Sequence, residues 1–194
     1  ISRLQELLKA NIPIDASKAA SILRNRKGVG GAELGLANEM AINQFIAHHS
    51  VIFQPEKKLM WVSTSPWQCG KYVAYDLNRI FSDSIDFNHE IYTGDLTLPA
   101  DSFLQQQEYQ QLMTYKRLAP VLRKQIKKKE RLDEQTLHAF QHANPHFFYV
   151  YELLGDYYHA TGQQDKALRN WKKALLLPIP KRSESERIEH KINN

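Results

Sequence analysis

"NQFIAHHSVIFQPEKKLMWVSTSPWQCGKYVAYDL", residues 43–77, decides how the first half of the chain is read. Residues 45–53 are rich in β-branched and aromatic side chains, "QPEKK" has turn chemistry, and residues 59–65 are again β-prone. The stretch therefore predicts a β-hairpin. Alternation puts Phe45, Ala47, His49, Val51 and Phe53 on one face of its first strand, and Ile46, His48, Ser50 and Ile52 on the other. Both faces carry large apolar groups, so we expect other layers to cover the strand on both sides. After the Pro66–Gly70 turn, "KYVAYDLNRIF" is a helix or a third strand.

The same stretch holds the residue types of reactive chemistry. On a regular strand His48 and His49 point apart and cannot share a metal, and His49 diverges from Ser50 as a base would not. Cys69 is the only cysteine, which excludes an internal disulfide and a cysteine-based zinc cluster. Packed histidines and a structural thiol are the expectation, with no metal site, no cofactor and no catalytic residue in the chain. Ahead of the hairpin, Leu4, Leu7 and Leu8 share a helical face. "DASKAASILRNRKG" predicts a second helix, with Asp15 as N-cap and Gly28 as its stop. "GVGGAELG" invites a nucleotide-binding reading. Glu33 stands where the third glycine belongs and no strand precedes it, so it reads as a loop.

Near "TGDLTLPADS", residues 93–102, glycine and short apolar runs give way to glutamine, lysine and helical spacing. We place the boundary there, between a domain of residues 1–98 and a helical domain of residues 99–194. In the second domain a long helix over 102–129, bent at Pro120, precedes a short helix ending at Pro145. Residues 148–181 then match the 34-residue tetratricopeptide pattern. Tyr151, Leu154, Gly155 and Tyr158 occupy its first helix, Ala167, Trp171 and Ala174 its second, and Pro178 closes it. A polar capping helix follows Ser183, for about five helices in all. Such arrays hold peptides, and Tyr149, Glu152, Asp156, His159 and Ala160 are expected on the open face. With so few repeats, packing against the first half competes with peptide capture.

The net charge of +5 is concentrated in "RKQIKKKER", residues 123–131, at a helix end where cations meet the negative pole of the dipole. No RNA- or DNA-reading motif accompanies it, which argues against nucleic acid as a partner. No segment approaches the ~20 apolar residues of a membrane span. "ISRLQELLKAN" carries neither an initiator methionine nor a signal pattern, and we expect the chain to be one piece of a longer protein. Its compartment is unassigned.

The strand ending "HSVIF", the strand "LMWVSTSP" and the aromatic "YVAYDLNRIF" together resemble the C-terminal part of the penicillin acyltransferase-like, choloylglycine hydrolase-like N-terminal-nucleophile hydrolases. The resemblance covers residues 15–82. It implies an α+β fold with part of an αββα sandwich, followed here by the all-α tetratricopeptide-like array. It also implies hydrolysis or transfer at a linear amide bond by an N-terminal cysteine freed through self-cleavage. Ile1 and the internal Cys69 cannot be that nucleophile, so the resemblance places the catalytic segment upstream or on another chain. Asn43, His48, His49 and Trp67, which flank the hairpin ends, are the expected substrate-lining residues. The alternative is a non-catalytic interaction module built on the helices.

Overall fold

The computed structural model describes residues 2–82, 88 and 90–193. The chain is α+β and divides into two compact units, residues 1–32 with 41–104, and residues 33–40 with 105–194.

The first unit opens with α1 (Arg3–Ala10), held at its start by a capping box between Ser2 and Gln5. On its leucine face Leu7 is half-buried, while Leu4 and Leu8 are exposed. In α2 (Ala16–Leu23) the Asp15 carboxylate accepts the Lys18 amide as its N-cap. The helix ends at Leu23, short of Gly28, because Arg24 and Arg26 turn away to bind backbone and side-chain oxygens elsewhere in the unit. The glycine loop that follows holds no phosphate cradle. The Gly30 amide donates to the Glu6 carboxylate at 2.9 Å, and that hydrogen bond, with Arg3 beside it, keeps the carboxyl below its ordinary range.

Three antiparallel strands follow in the order β1 (Val51–Gln54), β2 (Leu59–Ser63) and β3 (Tyr72–Asp76). The Pro55–Lys57 turn, with Lys58 left-handed, joins the first two. "KYVAYDLNRIF" supplies both expected elements, since β3 runs into the short helix α3 (Leu77–Ile80). Register aligns Ile52, Trp61 and Ala74 across the sheet. With Tyr72 and Ala20 of α2 they form a core, against which Ala16, Ala19, Leu23 and Leu98 also pack. The α2 residues at 16, 19, 20 and 23 recur with helical spacing, so one stripe of the helix covers one face of the sheet.

The first strand is shorter than the sequence pattern predicts. Phe45 has φ +54°, and its amide donates to the Asn43 side chain, a local bond that competes with strand pairing. The Phe45 ring turns inward against Phe103 at 5.3 Å and Trp67 at 6.2 Å. Residues 45–49 consequently lie outside the ladder, which ends where the Ser63 amide donates to the Ser50 carbonyl. His48 and His49 are not on alternate strand faces, and both are exposed rather than packed.

The second unit is a helical array of α4 (Gln107–Lys128), α5 (Glu134–Ala143), α6 (Phe148–Ala160), α7 (Gln164–Leu175) and α8 (Arg182–Asn193). Pro120 lies inside the continuous α4, and Lys127 and Lys128 occupy its last turn, where the helix dipole favours them. Asp133 caps α5 through the Thr136 amide. Helices α6 and α7 fold back on each other across the turn at Gly162. Their seam buries Tyr151, Leu154, Ala167, Trp171 and Ala174, and a Cβ at Gly155 would lie 2.3 Å from the Trp171 ring. Residues 33–40 belong to this unit. Gly35 sits against the Phe147 backbone, where a Cβ would approach to 2.5 Å, and Asn144 exchanges two hydrogen bonds with the Leu36 backbone. Asn38, fully buried, donates to the Pro178 carbonyl.

Candidate functional site

The sheet of the first unit has two unlike faces. The α2-covered face carries Ile52, Trp61 and Ala74. Register places Val51, Phe53, Met60, Val62, Val73 and Tyr75 on the other. All six are apolar or aromatic and none is buried; Phe53 is 62% exposed. The expectation of cover on both sides is therefore met on one side only among the described residues. The edges differ as well. The outer edge of β3 is closed by residues 93–98, with Thr93 donating to Ala74 and Leu98 exchanging two bonds with Tyr72. Among the described residues the outer edge of β1 has no backbone partner. Ile14, Ala16, Ala19, Ile52, Phe53 and Trp61 line a groove beside it. A partly exposed apolar face next to a free strand edge is what proteins ordinarily hide.

This asymmetry gives a direct test. Trp61→Ala, on the covered face, is expected to cost about 3–5 kcal/mol. Phe53→Lys, on the open face, is expected to change stability by no more than about 0.5 kcal/mol and to reduce binding of an apolar-surface dye. Equal destabilisation by the two, in urea titrations, would mean that the open face is covered.

The hairpin-end residues differ in burial. Asn43 is buried and structural: its amide nitrogen donates to Cys69 Sγ at 3.3 Å while its oxygen accepts from Phe45. Trp67 is half-buried against Phe45. His48 and His49 remain exposed in the loop that leads into β1, the only two of the four with open side chains. Burial pushes the Cys69 thiol above its ordinary range, so it is held protonated. The Ser50 hydroxyl meets Tyr72 and Ser63, not an imidazole. Ile1 lies outside the described residues.

Sequence reasoning missed the clamp that holds these loops. Arg24 donates to the carbonyls of Gly70 at 2.6 Å and Pro99 at 2.9 Å, and lies over the Tyr72 ring. Arg26 pairs with Asp101 at 2.7 Å over the Phe103 ring. The signal was present as two arginines just past a helix end, but their partners lie 46 to 75 residues away.

In the helical unit the expected open face is closed by α8. Glu152 is 2% exposed, gripped by Nε and Nη2 of Arg187 at 2.8 Å and by Lys191 at 2.8 Å. Lys191 also binds Asp156, which accepts the Trp171 indole N–H at 3.0 Å. Glu152 and Asp156 thus serve to seat the capping helix and do not face a groove. Exposed His159 pairs with Gln164, and half-buried Tyr149 accepts from Arg123. Among the described residues no three His, Cys, Asp or Glu side chains group to hold a metal, and no helix is long and apolar enough to cross a membrane.

Comparison with family models, curated proteins and solved structures gave no match.

Proposed function

We propose that this chain is the C-terminal, non-nucleophile part of an amidohydrolase or acyltransferase acting on a linear amide bond. The observation that carries the reading is the open sheet face. In an αββα sandwich a sheet has helices on one side and a second sheet on the other; here α2 covers one side, and none of the six apolar or aromatic side chains on the other is fully buried. The free β1 edge beside that face suits the addition of further strands. No group of this chain is assigned to bond making. A cysteine thiol of the upstream segment or chain would attack the amide carbonyl, its own α-amino group taking the thiol proton and passing it to the amine that departs as the C–N bond breaks; water or a second amine would then accept the acyl group and release the thiol. His48 and His49, exposed where the chain enters β1, remain the substrate-lining candidates; Asn43 and Trp67 act by holding the loop.

We also infer that residues 148–181 form one tetratricopeptide-like repeat. The close approach of Gly155 to Trp171, with Ala167 and Ala174 buried in the same seam, supports this.

The test is to capture the native protein with an antibody against the α4–α8 unit, then determine intact mass and N-terminal residues of everything retained. The expected result is a mass that exceeds these residues or a bound second chain, with one chain beginning in cysteine. Alkylation of that cysteine should abolish amide hydrolysis. A single chain accounted for by these residues alone would overturn the reading.

A further inference from the structure

The helical unit contains a pocket that the open-face expectation passed over. It has a volume of about 230 Å³ and lies among residues of α4, the start of α6, the start of α8 and the 33–40 segment. Its walls include the rings of Tyr115, Phe147 and Tyr149, and its charged groups are Arg123, Glu39 and Glu184. Tyr115 and Phe147 meet edge to face at 5.8 Å, and Phe147 lies 6.2 Å from Tyr149, so the rings brace one another.

The carboxylates differ. Glu39 is satisfied by Lys181 at 2.6 Å. Glu184 Oε2 is buried and accepts no hydrogen bond. Two cations stand near enough for Glu184 to raise their affinity for protons, but both are committed, Lys181 to Glu39 and Arg187 to Glu152. A carboxylate oxygen removed from water without a donor is costly to leave bare. Aromatic faces beside it add attraction for a cation and provide an apolar sleeve for an alkyl stem. The volume is below the roughly 300–1,000 Å³ that drug-sized ligands occupy, so the fit is to one side chain or a small amine.

We propose that this pocket binds an alkylammonium group of the lysine type, its head on Glu184 and its stem along Tyr115, Phe147 and Tyr149. Arg123, exposed and lying 5.6 Å from the Tyr149 ring, is the charge that opposes such a ligand. It sets the condition that separates a cation site from an anion site: removing it must not weaken binding.

The whole chain is titrated with N-acetyl-lysine methylamide, with n-butylamine, and with the uncharged N-acetyl-norleucine methylamide, by calorimetry or NMR shifts. The lysine derivative is expected to bind. Glu184→Gln should weaken it about tenfold or more, and Tyr149→Leu about three- to tenfold. Arg123→Ala should leave it unchanged or tighten it. Comparable binding of butylamine would assign the site to free amines, and binding of the lysine derivative alone to a peptide-borne side chain; either supports the proposal. Three results overturn it: norleucine binding as well as lysine, wild-type affinity in Glu184→Gln with its helix content intact, or loss of binding in Arg123→Ala. Absence of lysine binding up to about 10 mM also overturns it. The pocket lies wholly within the helical unit, so a failed titration leaves the sheet-face reading untouched.

Discussion

Replacing Arg187 and Lys191 together by alanine is expected to cost the helical unit about 3–5 kcal/mol, the penalty for leaving a buried charge without its partners. Glu152 is 2% exposed and receives three hydrogen bonds from these two side chains. Burial alone would raise its pKa; the bonds from Arg187 and Lys191 overcome that and hold the carboxyl below the ordinary glutamate value of 4.5. The stabilisation is therefore complete above that value and is lost as pH falls through the lower folded one. In the double variant burial acts unopposed, so the carboxyl takes up a proton more readily in the folded unit than in the unfolded chain. Acid should then narrow the gap between variant and wild type. Arg182→Ala is the control: its pair with Glu186 is exposed on both sides and should be worth less than about 0.5 kcal/mol. Denaturant titrations at pH 7 and pH 4, followed by helical circular dichroism, measure all of this. Equal stability of the double variant and Arg182→Ala at pH 7 would show that α8 is not held this way.

Gly155→Val should strongly disrupt the α6–α7 seam, at about 3 kcal/mol. Glycine in a helix interior ordinarily costs up to about 1 kcal/mol, and valine recovers only part of that. Against this small gain, the first added carbon alone would lie 2.3 Å from Cδ1 and Nε1 of Trp171. The indole cannot step aside cheaply, because it is 3% exposed and its N–H is held by Asp156. Trp171→Ala alone should cost about 3–5 kcal/mol through the cavity it leaves. In the double variant valine and cavity partly cancel, so the combined loss should fall short of the sum by about 1–3 kcal/mol. Strict additivity in the cycle would mean that the two residues do not share the seam.

The elements legible in the sequence were those fixed by local rules. Asp15 announced its helix, the "QPEKK" turn announced the hairpin, and helical spacing gave the array. Gly155 and Ala167 were readable as small residues at helical spacing, whereas the contact of Gly155 with Trp171 comes from the structure. The misreadings share a physical cause, namely competition by partners distant in sequence. Phe45 belongs by propensity to a strand, yet an Asn43 side-chain bond and burial against Phe103 outweigh the ladder. Glu152 looks like a groove residue until Arg187, 35 residues later, closes over it. Alternation cannot distinguish a strand with two covered faces from one with a single covered face when both carry Val, Ile and Phe. What lies against the second face is set by chain beyond the hairpin, and no pattern within residues 43–77 encodes it.

The 33–40 segment carries a consequence for heredity. An appendage attached at one point can be gained or discarded by one break in a gene. Here the chain passes between the units at 32/33, at 40/41 and at 104/105. A cut at residue 98 would strip Asn144, Phe147 and Pro178 of Leu36, Gly35 and Asn38, the neighbours that fill and satisfy them. No single recombination event separates this helical array from the sheet unit with its packing intact. A protein that kept one unit without the other would have to refill the place that this thread of eight residues occupies.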